Sequence, residues 1–132
     1  MGQPITTTAG GICFAFPDVC LTPIPGGGSA PVPYPNIGQL SGATGVASTV
    51  LAGGNPVVTQ DSTIPTTTGD EAGSLGGVTS GAFGQKVEFA TFSGTVKAEG
   101  AGVVRMFDTT QQNNRNAVGR VLGGVPTVLV GG

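Results

Sequence analysis

Three observations predict an all-β fold of short hairpins. Apolar residues come in short, β-branched runs bounded by Gly, Asn, Asp or Pro, the pattern of strands punctuated by turns. Before residue 85, Gly and Pro interrupt every stretch long enough to hold a stable helix. Glycine and proline make up about a quarter of the 132 residues, yet only 5 basic and 7 acidic residues are present. Disordered chains pair low hydrophobicity with high charge, so this composition describes a folded chain rich in tight turns, long enough for one domain with a real core.

Residues 12–16 (ICFAF) read as a strand that ends at Pro17. Pro23, Pro25, Pro31, Pro33 and Pro35 surround Gly26-Gly27-Gly28. Proline offers no ladder donor, so residues 21–36 cannot join a central strand, and an ordered extended loop or surface wrap is expected. A hairpin follows, from Ser48–Ala52 through a turn at Gly53-Gly54-Asn55 to Pro56–Gln60. Residues 61–82 are polar and Gly-rich. In residues 86–92 (KVEFATF), Val87 and Phe89 share one side of the pleat but fall out of step with Phe92, which a bulge near Ala90-Thr91 repairs. Thr95–Glu99, a turn at 100–102 and Val103–Phe107 form a second hairpin. Residues 109–117 (TTQQNNRNA) are the best candidate for a helical turn. The tail, Val121–Val130, reads as strand, Gly-Gly turn, strand.

A weak internal repeat links these pieces. Thr49-Val50-x-Ala52 with Val57-Val58 resembles Thr95-Val96-x-Ala98 with Val103-Val104, and Val121-Leu122-Gly123-Gly124-x-Pro126 resembles Val50–Pro56 with one gap. Any two hairpins with glycine turns look alike. The alternative is a fold of three similar hairpins around one axis.

The composition excludes several chemistries. Histidine is absent, which removes Ser-His-Asp and Cys-His catalysis and every metal site that needs imidazole. The net charge is −2, and Lys86, Lys97, Arg105, Arg115 and Arg120 all follow position 85. No basic stripe can track phosphates, so no nucleic-acid partner is expected. No apolar run approaches a membrane span. The start, MGQPITTTAGG, lacks the basic region and apolar core of a signal peptide. Synthesis in the cytoplasm and export by another route are expected. So sparsely charged a surface suits a chain that a partner covers. Asp70-Glu71 is the one adjacent carboxylate pair; neighbours point apart on a strand, so they suit capping of turn amides better than acid/base work. No phosphate-binding loop pattern occurs, and an enzyme is not expected. Cys13 and Cys20 have three available fates: buried thiols, a disulfide closed by a turn at Pro17-Asp18, or metal ligands.

Some stretches are more particular. Phe16-Pro17-Asp18-Val19-Cys20-Leu21-Thr22-Pro23 is followed by Pro31-Val32-Pro33-Tyr34-Pro35-Asn36-Ile37, then by Gly69-Asp70-Glu71-Ala72-Gly73, Gly76-Gly77-Val78-x-Ser80-Gly81 and Val103-Val104-Arg105-x-x-Asp108. In this order, over about residues 8–116, the chain resembles the PAAR-like domain family, although a literal Pro-Ala-Ala-Arg motif is absent. Residues 117–132 remain as a short strand or tail of what is expected to be one domain.

The resemblance implies a small, cone-shaped all-β fold with approximate threefold symmetry at its base. It implies a tip that caps and sharpens the trimeric β-helical spike of a contractile injection system for membrane puncture. The partner would be a trimeric spike protein of the kind found in type VI secretion systems or phage hubs, with one tip per trimer, delivered with the particle. The alternative is an adaptor that links a secreted effector to the spike through Val121–Gly132. The candidate spike contacts are Thr49, Val50, Val57, Val58, Thr95, Val96, Val103 and Val104, with the hairpins at 49–58, 95–104 and 121–130 as three edges. Relatives often carry zinc-holding histidines near the apex; here those positions read Met106, Gln112 and Asn114. Cys20 keeps the family's cysteine without its partners. Zinc is therefore not expected, Cys13 and Cys20 being the remaining candidates, and packing with amide hydrogen bonds should hold the apex instead.

Overall fold

The computed structural model describes residues 2–131. Its strands are β1 (Gln3–Ile5), β2 (Ile12–Pro23), β3 (Ser29–Gln39), β4 (Ala47–Ala52), β5 (Asn55–Val57), β6 (Thr63–Ile64), β7 (Val87–Phe89), β8 (Lys97–Ala98), β9 (Ala101–Gly102), β10 (Thr109–Gln112), β11 (Ala117–Leu122) and β12 (Val125–Val130). The all-β expectation holds. One six-stranded antiparallel sheet runs β3-β2-β11-β10-β7-β6, and β1-β12, β4-β5 and β8-β9 form three separate pairs.

Two expectations about the Pro-rich region change. β2 does not stop at Pro17. The register slips between Ala15 and Asp18, so Phe16 and Pro17 together oppose Pro35. Such a bulge asks for no ladder bond from the proline nitrogen. Nor is 21–36 a loop, because β2 and β3 form a long hairpin. The proline argument survives in another form, since β3 is an edge strand. Leu21, opposite Pro31, sends its N–H away from β3 to Gly76 O (2.8 Å), and Val19, opposite Pro33, accepts from Val78 N–H (3.0 Å). Pro31 and Pro33 therefore sit where the nitrogens of β3 face outward, and the open edge offers no donors there.

The 109–117 segment is a hairpin, not a helical turn. In β10, Thr110 and Gln112 are buried while Thr109 and Gln111 are half-buried. Asn113, Asn114 and Arg115 take positive φ (51, 54 and 71°), a left-handed turn that asparagine tolerates well. The bulge after β7 is present: Ala90 N–H and Thr91 N–H both point at Thr109 O (2.9 and 3.3 Å).

The hairpin at 47–57 forms with its turn at Gly53-Gly54, whereas the second turns earlier than expected, at Glu99-Gly100, so Ala101 and Gly102 are strand rather than turn. The tail hairpin does not form. β11 lies between β10 and β2 in the large sheet, and β12 pairs with β1. The chain's first and last strands thus make the third pair, in the register of the first hairpin. Gln3, Pro4 and Ile5 face Val130, Leu129 and Val125 as Asn55, Pro56 and Val57 face Ala52, Leu51 and Ala47. In the remaining pair, Ala101 and Gly102 face Ala98 and Lys97, and Ser93 N–H reaches Val103 O (2.8 Å). All three pairs skip the same number of residues at the same place. The matching sequences are Thr49-Val50-Leu51-Ala52, Thr95-Val96-Lys97-Ala98 and Thr127-Val128-Leu129-Val130, so the repeat proposed at Val121–Pro126 is out of register.

A ring of backbone bonds joins the three pairs. Thr6 N–H donates to Val104 O (2.9 Å), Val104 N–H to Val58 O (2.9 Å), and Val58 N–H to Thr6 O (3.0 Å). A second ring repeats this two residues out: Thr8 donates to Pro56 O (3.1 Å), Gln60 to Gly102 O (2.8 Å) and Met106 to Pro4 O (2.8 Å). The core divides around these rings. Ile5, Val57 and Val103 join Ala47, Ala52, Ala98 and Val130 in a cluster among the three pairs. Val58 and Val104 join Cys13, Leu40, Ile64, Val87, Phe89 and Val121 beneath the large sheet. One end of the molecule is pseudo-threefold; the other is not.

Candidate functional site

Each pair forms an arm of the pseudo-threefold end. The positions whose side chains leave the arm are exposed in all three: Thr49, Thr95 and Thr127, and beside them Leu51, Lys97 and Leu129. Leu51 is 57% and Leu129 60% exposed, a large apolar exposure repeated at equivalent positions. Of the eight sequence candidates for spike contact, Thr49, Val50, Thr95 and Val96 lie on these arms and are exposed. Val57, Val58, Val103 and Val104 do not reach solvent, being at most 1% exposed in the two core clusters. Their valine pairs alternate across the ring, one side chain entering each cluster. This removes them from any contact by side chain.

A second constellation lies under the large sheet, where the motif residues converge. Asp18 and Cys20 come from β2, Asn36 from β3, and Asp70 from the loop after β6; all four are fully buried. Asn36 Nδ2 donates to Asp18 Oδ2 (3.1 Å), Thr67 Oγ1 (2.9 Å) and Asp70 Oδ2 (3.3 Å). Asn113 Nδ2 donates to Asp18 Oδ1 (3.2 Å) and to Ala82 O (2.7 Å). Asn116 Nδ2 also reaches Asp18 Oδ1, and Gly84 N–H meets Asp70 Oδ1 (3.0 Å). Gln112 Nε2 binds Cys13 O (3.2 Å), Asn36 O (3.0 Å) and Asn36 Oδ1 (2.8 Å). Amides thus hold this region, as expected, but through Asn113 and Asn116 rather than the exposed Asn114. The QQNNRN run was the available signal for them.

The remaining motif residues are scaffold. Pro17 sits at the bulge, Pro33 lies on the open edge, and Pro35 faces the bulge with Gly69 packed against it. Tyr34 Oη meets Thr22 Oγ1 at 2.7 Å. Asp70 and Glu71 do point apart: Asp70 is buried on Gly84 N–H, while the exposed Glu71 accepts from Gly69 N–H (2.9 Å). Gly69 has φ +111°, and a Cβ there would strike Pro35 O.

Both cysteines are free, buried thiols. Burial pushes Cys13 up to about 12. Burial, followed by the charges of Asp18 and Asp70, pushes Cys20 up to about 12. Burial, then the Asp18 side chain, raises Asp70 to about 7, against the lowering effect of the Gly84 amide.

Among the described residues, Asp18, Cys20 and Asp70 are the group whose donor atoms, within 4.8 Å of one another, could hold a cation. They fit zinc poorly. Protein zinc sites draw mainly on imidazole and several thiolates, and this group offers one thiol and two carboxylates. Amide N–H groups already occupy the carboxylate oxygens, and among the described residues no buried side-chain nitrogen or oxygen lacks a partner.

The fold and its two constellations define a small all-β protein with one pseudo-threefold end and an amide-held carboxylate cluster away from it. The family model of the Toxin PAAR-like domain matches residues 11–119, and the chain belongs to that family. No curated protein and no solved structure matches it.

Proposed function

We propose that the chain is the tip of a trimeric β-helical spike in a contractile injection system, one copy closing each trimer and sharpening it for membrane puncture. The observation that carries this reading is the pseudo-threefold ring with its three arms in one register. A homotrimer presents three identical surfaces, and a single chain can answer all three only by repeating itself. Family membership supports an association with spikes. The donor-poor edge of β3 turns the side of the molecule away from strand addition. In this reading the chain is made in the cytoplasm, assembled on the particle and delivered with it.

The test is native mass spectrometry of the chain co-expressed with a trimeric β-helical spike protein from the same source. The expected mass is one tip with three spike subunits; three tips per trimer would overturn the proposal.

A further inference from the structure

The three arms differ at one exposed position. Leu51 and Leu129 occupy it in two arms and Lys97 in the third. All three are exposed, and each sits opposite the position two residues before the ring, at Pro56, Pro4 and Gly102 respectively. The lysine has no carboxylate partner within ion-pair distance among the described residues.

We infer that the partner of this end carries three identical apolar recesses, each open to water at its far end, and that two take Leu51 and Leu129 while the third takes the aliphatic stem of Lys97. The inference rests on the spike-tip reading and adds the chemistry of the receiving surface. Identical subunits cannot offer a carboxylate to one arm without offering it to all three. A carboxylate buried against Leu51 and Leu129 would lose its hydration with no counter-charge. A recess built for leucine accepts a lysine only when its ammonium group can reach water, since the four-carbon stem packs like an aliphatic chain. The third arm is therefore the weak one, and the trimer holds the tip chiefly by two of its three contacts.

Affinity of purified variants of this chain for an immobilised trimeric β-helical spike protein from the same source tests the inference. All the substitutions fall on exposed side chains, and an unchanged melting curve for each variant confirms its fold. Lys97→Leu should tighten binding roughly tenfold by adding buried apolar surface. Leu51→Lys and Leu129→Lys should each weaken it by a similar factor. Weaker binding by Lys97→Leu would mean that the trimer reads the charge, overturning the inference while leaving the tip reading intact. No change on Lys97→Leu would show that the third recess is not engaged, which also overturns it. Unaltered binding by Leu51→Asp and Leu129→Asp would remove this end from the interface and take the tip reading with it.

Discussion

Asp18 and Asp70 lie buried in one cluster, and a single amide nitrogen, Asn36 Nδ2, donates to a carboxylate oxygen of each. Among the described residues no Lys or Arg is paired with either. Asp70 is the member raised to about 7, against about 3.9 in an unfolded chain.

The folded state therefore binds a proton at Asp70 that the unfolded state has released. That contribution to stability is full below about pH 4 and is lost as pH rises to about 7. Lowering the pH from 8 to 5 should raise the Tm by roughly 5–10 °C. Asp70→Asn, which imitates the protonated group, should flatten the profile. Equal pH profiles for the two proteins in scanning calorimetry would refute this origin.

Zinc should be present in the purified protein at well below one atom per chain, and a chelator should leave the Tm unchanged. The grounds are the single thiol without imidazole and the amide-occupied oxygens of Asp18 and Asp70. Near-equimolar zinc by elemental analysis, lost in Cys20→Ala, would contradict both expectations.

Side chains at the ring and on the arms should separate in a stability series. Val58→Ala or Val104→Ala removes methyl groups from a fully closed position and should cost about 2–3 kcal/mol. Val50→Ala and Thr95→Ala, on exposed positions, should stay within about 0.5 kcal/mol. Urea melts distinguish the two groups; equal losses would contradict the burial assigned to the valines.

Deleting residues 119–132 removes part of β11 from the middle of the large sheet and the whole of β12 from the third arm. The truncated chain should fail to fold, losing its near-ultraviolet circular dichroism. A folded, spike-binding product that had lost only an effector would instead favour the adaptor function considered for the tail.

How much of this was legible in the sequence depends on how local each feature is. The glycine turns at Gly53-Gly54 and Gly100 and the bulge at Ala90-Thr91 follow from neighbouring residues, whereas the expected exclusion of prolines from an interior strand holds only for β3, since Pro17 and Pro23 both lie in β2. The β10–β11 hairpin was missed because polar Thr110 and Gln112 occupy its inward positions, where a periodicity argument looks for apolar ones. The third arm was missed because its strands come from opposite ends of the sequence. Val121-Leu122-Gly123-Gly124 imitated the repeat locally, whereas Thr127–Val130 carries it without its own turn. The carboxylate cluster was half visible: Asp18, Cys20, Asn36 and Asp70 stood out as motif residues, but only tertiary packing brings Asn113 and Asn116 against them.

The pairing of β1 with β12 has a consequence for the order of events during synthesis. β1 is made before every other strand described, and its partner β12 after them all. Until that partner arrives, Pro4 and Ile5 belong to an arm lacking one strand, and the core cluster that Val130 completes stays open. A nascent chain can form the β4–β5 hairpin early, because its contacts are local, but closing the third arm waits until β12 has been made. A product that stops before β12 would carry two arms in place of three. The topology thus withholds a closed pseudo-threefold end until β12 has been made.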